Sequence, residues 1–185
     1  MKKRWKRACV AGWMGLMLAG CQPAPAPQGA CDTDKACAVD APQVESGLSD
    51  PQPFERALTF FENGESGVLY FGFADCPWCQ EAVPVLKDEA EKAGRSVVFI
   101  QTRDENRELE YTDEQKARIT PYIEEYMSEN DEGELTLFVP CVLVVENGTV
   151  VSGHVGTVDG HDAHERTMTD AEKEQLHQTY AAMLR

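Results

Sequence analysis

The sequence predicts an α/β fold, a central mixed sheet flanked by helices, and two observations carry that expectation. Short apolar runs at 67–73, 96–102 and 140–145 have strand length and alternate with stretches of helical spacing. Glu146-Asn147-Gly148 then links the last run to 149–152, an Asn-Gly signal for a tight antiparallel hairpin. Alternation of helix and strand, ending in a hairpin, argues for a small sheet with a parallel first half, an antiparallel second half and helices on both faces.

Each element has a local reason. Phe54, Leu58, Phe60 and Phe61 recur at near-helical spacing after Pro53, and Asn63-Gly64 stops them. The run 67–73 (GVLYFGF) reads as a buried strand. A helix follows over 76–92, with Val83, Leu86 and Ala90 on one side and Gly94 as its stop. The run 96–102 (SVVFIQT) reads as a second buried strand. Thr112 and Gln115 form a capping box, and Thr120-Pro121 reads as a helix restarting with proline at its first position. Thr169 and Glu172 make another capping box, opening an amphipathic last helix through Leu176, Tyr180, Met183 and Leu184.

The 185 residues allow one ordinary domain plus an appendage, and 42% hydrophobic residues are enough for a core. With 32 Asp+Glu against 17 Lys+Arg, the formal net charge is −15. Phosphate-backbone recognition needs clustered Lys and Arg, so no nucleic-acid partner is expected. Beyond the first 20 residues no run of about 20 uncharged apolar residues occurs, so no membrane-spanning helix is expected in the body of the chain.

The N-terminus reads as an address. Residues 1–7 (MKKRWKR) carry five positive charges, 8–18 are apolar, and Leu18-Ala19-Gly20-Cys21 closes the segment. The last four residues resemble the lipobox of bacterial lipoproteins, which implies lipidation at Cys21 and removal of 1–20 as a signal peptide. Losing five positive charges takes the formal net charge to −20, so lipid on Cys21, not charge attraction, would hold the protein to a bacterial membrane. An extracytoplasmic location follows, a compartment in which disulfides persist. Residues 21–51 hold several prolines and few large apolar side chains, and read as a tether. Cys31 and Cys37 lie within it and could form a structural disulfide loop, act as a second exchanging dithiol, or simply oxidise together on export. The globular domain is then 52–185.

The chemistry concentrates in Cys76-Pro77-Trp78-Cys79, where a strand gives way to a helix. A thiol at a helix N-terminus meets unpaired backbone N–H groups and the positive end of the helix dipole, both of which favour the thiolate. The thiolate is the species that attacks a disulfide. Pro77 costs little at a first helical position, and Trp78 sets an apolar surface beside the sulfurs.

With these residues the chain resembles the thioredoxin family over about 54–185. The stretch FGFADCPWCQ is similar to the family's redox turn. Pro84, five residues after Cys79, falls where the family kinks the following helix. Val139-Pro140, leading into CVLVVENG, resembles the cis-proline segment and its hairpin. The resemblance implies a thioredoxin-like fold, Cys76 as nucleophile and Cys79 as resolving thiol. It also implies a cis Pro140 that forms the substrate groove with Val139 and Trp78. In style the chain is similar to acidic, secreted thioredoxin-like accessory proteins linked to bacteriocin export.

There are departures from the pattern. Tyr70 stands where many thioredoxins carry a buried Asp that helps move the resolving thiol's proton, so that aid is missing or comes from another group. Asp75 adjoins Cys76 and would oppose its thiolate if close. Cys141 follows Pro140 directly, either as a buried small hydrophobe or as a third thiol for Cys76 or Cys79.

His154, His161 and His164, with Asp159 and Asp162, are expected to form a solvated acidic loop and not a metal site. The acidic run from Asp104 to Glu134 reads as a solvated helical insert. Cys76 itself is expected to be exposed. The function expected is extracytoplasmic thiol–disulfide exchange on protein or peptide thiols and disulfides, with an electron partner. No metal or cofactor is expected beyond a redox-active Cys76–Cys79 disulfide. A non-enzymatic thioredoxin-fold binding module and a metal carrier using the same cysteines are the alternatives.

Overall fold

A computed structural model describes residues 47–185, all within the unit Pro42–Arg185. Cys21, Cys31 and Cys37, the signal segment and most of the tether lie outside the described residues. The strands are β1 (Gly47–Leu48), β2 (Gly67–Gly72), β3 (Ser96–Gln101), β4 (Ser128–Glu129), β5 (Leu135–Thr136), β6 (Cys141–Glu146) and β7 (Thr149–Val155). The helices are α1 (Phe54–Glu62), α2 (Pro77–Ala93), α3 (Asp113–Ile123) and α4 (Asp170–Met183). A five-stranded sheet runs in the order β1-β3-β2-β6-β7. Its β1, β3 and β2 are parallel, whereas β6 and β7 are each antiparallel to the neighbour before them.

Strand alternation divides the core between the two faces of this sheet. Leu69, Phe71, Cys141, Leu143 and Val145 point into a cluster with Phe54, Leu58 and Phe61 of α1 and Ile119 and Ile123 of α3. Val68, Tyr70, Val142 and Val144 face the other way, against Ala82, Leu86 and Ala90 of α2 and Leu176 and Tyr180 of α4.

The local signals hold where they are strongest. Both capping boxes form, Thr112 with Gln115 and Thr169 with Glu172. Asn147 (φ 50°) and Gly148 (φ 73°) both adopt the left-handed conformation that a type I′ hairpin requires. At Gly148 a side chain would also press on the Phe61 carbonyl.

Four expectations need correction. Pro121 does not restart a helix; it lies inside α3, which ends two residues later in a 3₁₀ turn over Glu124–Tyr126. A proline this close to a helix end forfeits one backbone bond without breaking the remaining turns. The acidic run from Asp104 to Glu134 is not merely a solvated insert, because its α3 buries Ile119 and Ile123 against α1, and a small β4–β5 hairpin follows. The sheet recruits Gly47–Leu48, inside the segment read as tether, by pairing them with Ser96 and Val97. The histidine-rich loop is not uniformly solvated, since His161 is buried. Its Nδ1 is hydrogen-bonded to the Thr157 hydroxyl at 2.8 Å and its Nε2 donates to the Arg166 carbonyl at 3.0 Å.

Candidate active site

The antiparallel pairing of β2 with β6 builds the site. The C-terminal end of β2 lies beside the start of β6, with Phe71 opposite Cys141. The segment leaving β2 therefore delivers Cys76 next to the segment entering β6. There the Val139–Pro140 peptide is cis, and the Cys76 Sγ faces the Val139 carbonyl oxygen at 3.9 Å.

Cys76 is the N-cap of α2, the role usually taken by Ser, Thr, Asp or Asn. Its Sγ accepts the backbone N–H of Cys79 at 3.1 Å, and Pro77 occupies the first helical turn, where its missing N–H leaves no bond unmade. The neighbouring Cys79 thiol holds the Cys76 thiol below its ordinary pKa. The N–H groups of Cys79 and Trp78 and the Arg107 guanidinium act in the same direction, with burial opposing them. Cys79 is pushed strongly upward, first by its hydrogen bond with Cys76 and then by burial. The two thiols are thus inequivalent, with Cys76 poised to ionise and Cys79 held protonated beside it.

Cys76 is not exposed, as the sequence led one to expect, but 1% accessible. Capping draws the sulfur against the helix end, and the cysteine pair belongs to a buried cluster against which Phe73, Trp78 and Val139 pack. Access is through a groove of about 220 Å³ that reaches Cys76 and is also lined by Trp78, Val139, Phe138, Arg103 and Arg107. Asp75 borders the same groove. The Trp78 ring takes an edge contact from His164, with ring centroids 4.6 Å apart.

Tyr70 does more than fill the position of the missing Asp. It is buried on the α2 face of the sheet, and its hydroxyl acts to favour the thiolate of Cys79. The Phe73 backbone acts in the same direction, and the Cys76 thiol and burial act against both. An apolar cavity of about 260 Å³ reaches Tyr70 and Cys79 from the side of Val83, Pro84 and Phe99. Sequence inspection marked position 70 only as a departure; the signal that could have revealed its role is Gly72, two residues further along the same face.

Cys141 is a free thiol with no accessible surface, and burial pushes it up to about 12. It packs in the α1/α3 cluster, whereas Cys76 and Cys79 pack in the α2/α4 cluster. The sheet therefore separates it from the pair. His154 and His161 both bond Thr157, at its carbonyl and its hydroxyl respectively, and His164 meets the Trp78 ring. Among the described residues, metal-type donors gather at Asp88, Glu89 and His177, and there the Lys92 ammonium already bonds both carboxylates, at 2.6 and 2.8 Å. No helix among the described residues is long and apolar enough to cross a membrane.

No protein-family model matches the chain, and no curated protein does. Solved structures similar to it include thioredoxin O1 from Arabidopsis thaliana in the oxidized state, at 16% identity over 72% of this chain and 98% of that one, with a TM-score of 0.35. Thioredoxin O2 from the same plant gives 18% identity over 73% and 96%, with a TM-score of 0.37. A Malassezia sympodialis thioredoxin gives 14% over 73% and 93%, with a TM-score of 0.39. The strand order β1-β3-β2-β6-β7, with a Cys-Pro-Trp-Cys turn capping α2 and a cis-proline entering β6, is a thioredoxin-like α/β fold.

Proposed function

We propose that the protein is a thiol–disulfide oxidoreductase acting on protein or peptide substrates, with Cys76 as nucleophile and Cys79 as resolving thiol. One observation carries this reading: the Cys76 sulfur caps α2, accepts the Cys79 N–H at 3.1 Å and is held below its ordinary pKa at the floor of a groove. The Cys76 thiolate attacks one sulfur of a substrate disulfide, forming a mixed disulfide and expelling the other sulfur as a thiolate. Cys79 then gives up its proton and attacks the Cys76 sulfur. The second substrate thiolate leaves, and a Cys76–Cys79 disulfide remains. Two electrons have passed to the substrate, and a dithiol electron partner restores the pair. The same steps run backwards when the partner is more oxidising.

The Val139 carbonyl beside Cys76 gives an extended substrate chain a backbone acceptor, and Trp78 gives it an apolar wall. Turnover of a protein disulfide such as that of insulin, with dithiothreitol as reductant, tests the reading. Catalysis above the uncatalysed rate that vanishes in Cys76→Ser supports it, and equal rates for the two proteins overturn it.

The chain is also proposed to work outside the cytoplasm, held by lipid on Cys21, on the strength of the lipobox-like LAGC at 18–21. Cys21→Ala is expected to release the protein from membranes or leave it unprocessed. Normal processing with full membrane retention would contradict the anchor.

A further inference from the structure

The groove above Cys76 has a chemical character at odds with the rest of the chain. Two large apolar side chains exposed to solvent, Leu109 (50%) and Phe138 (44%), line it together with Arg103 and Arg107. Arg56, Arg118 and Arg166 each form ion pairs with carboxylates. Neither Arg103 nor Arg107 has a carboxylate within ion-pair distance among the described residues, although acids outnumber bases 32 to 17 in the chain. Asp75 is the groove's one acidic wall residue among those described.

Both arginines sit in one hydrogen-bonded loop, which fixes the Arg107 backbone and the Arg103 guanidinium. The Asp104 carboxylate accepts the backbone N–H groups of Asn106 and Glu108, both at 2.8 Å, and the Asp104 carbonyl accepts that of Arg107 at 3.0 Å. Arg107 itself takes a left-handed φ of 65° in this turn. Arg103 Nη1 donates to the Arg107 carbonyl at 2.8 Å, and its guanidinium lies 6.0 Å from the centre of the Phe73 ring. Two cations with no carboxylate within ion-pair distance among the described residues, beside two exposed apolar side chains, make a surface complementary to an anionic and apolar ligand.

We propose that this groove selects peptide segments in which a cysteine is flanked by a carboxylate and a large apolar side chain. Arg103 and Arg107 take the carboxylate, and Leu109 and Phe138 take the apolar group. The proposal names the substrate class of the oxidoreductase site and rests on that reading for its purpose. The acidic net charge of the chain does not preclude it, because at physiological salt the screening length is about 8 Å and the nearest charges decide local binding.

The test measures binding without chemistry, so that it is independent of exchange. Two fluorescent peptides carry an S-methylated cysteine flanked by Phe and by either Glu or Lys, and anisotropy gives their affinities for the full chain. The Glu peptide is expected to bind about tenfold more tightly at low salt, with the difference shrinking as salt rises. Arg103→Gln and Arg107→Gln should each reduce the preference roughly three- to fivefold, weakening the Glu peptide while the Lys peptide binds no more weakly than before. Circular dichroism and melting temperature check that the variants keep the fold. Equal affinities for the two peptides, no binding of either at millimolar concentration, or a Glu preference that survives in the double variant would each overturn the proposal. Failure of insulin turnover, with the Glu preference intact, would overturn the oxidoreductase reading and not the selectivity of the groove.

Discussion

The Tyr70 hydroxyl stands where the first side-chain carbon of any residue other than glycine at position 72 would have to be. Residues 70 and 72 share one face of β2, and the phenol leans along the strand toward the redox turn. The absence of a Cβ at Gly72 leaves the hydroxyl the room it occupies, from which it favours the Cys79 thiolate. A glycine in the strand thus admits the hydroxyl that acts on the resolving thiol.

Tyr70→Phe removes that hydroxyl and keeps the ring. Cys79 then loses an influence favouring its thiolate, so its attack on a mixed disulfide at Cys76 slows. A hydrogen bond worth about 0.5–1.5 kcal/mol corresponds to roughly three- to tenfold. Stopped-flow resolution of a glutathione mixed disulfide measures it, with the first attack by Cys76 as internal control. An unchanged resolution rate would exclude Tyr70 from this step.

Gly72→Ala places a Cβ against the Tyr70 phenol in a strand with little room to shift. Overpacking of this kind costs about 1–3 kcal/mol. The melting temperature should fall, and resolution should slow as in Tyr70→Phe. The double variant, Tyr70→Phe with Gly72→Ala, should recover part of the stability if the hydroxyl is what the new carbon meets.

Alkylation by a neutral reagent should separate the three thiols in the described region. Because the Cys76 pKa is lowered, its thiolate is present at pH values where an ordinary thiol is still protonated. Its rate should therefore reach half-maximum below the ordinary thiol value. Cys79 and Cys141 are raised, Cys141 to about 12, and should stay unmodified through pH 9 until the protein unfolds. Mass spectrometry of peptides quenched at each pH gives the three curves. A Cys141 modified as fast as Cys76 would contradict its burial.

Among the described residues the buried Tyr180 hydroxyl has no hydrogen-bond partner, and its ring meets His154 edge-on with centroids 5.8 Å apart. An unsatisfied buried hydroxyl carries a desolvation penalty of about 1–3 kcal/mol, so Tyr180→Phe should be neutral or stabilising. Denaturant unfolding measures this. A loss above about 1 kcal/mol would show that the hydroxyl is engaged after all.

Much of this architecture is legible in the sequence because its signals are local. Thr112/Gln115, Thr169/Glu172 and Asn147-Gly148 each fix a helix start or a turn with neighbours two or three residues away. Cys76-Pro77-Trp78-Cys79 is local too, since capping and the thiol pair lie within one helical turn. What was hidden depends on residues brought together across the chain. The edge strand Gly47–Leu48 is two residues long and exists because β3 offers it a partner. His161 is buried because Thr157 and Arg166 satisfy both ring nitrogens, which no spacing rule foretells. The low exposure of Cys76 likewise reflects its place in a cluster built from distant segments, with the Val139 carbonyl, more than sixty residues away, facing its sulfur.

The central claim, that Cys76 attacks and Cys79 resolves, is tested most directly by trapping. Cys79→Ser is incubated with a disulfide-bonded substrate protein, quenched with acid, and digested without reduction for mass spectrometry. The expected result is a stable mixed disulfide between the substrate and Cys76, absent in Cys76→Ser. Mixed disulfides at Cys141, or equal trapping by Cys76→Ser through Cys79, would contradict the account.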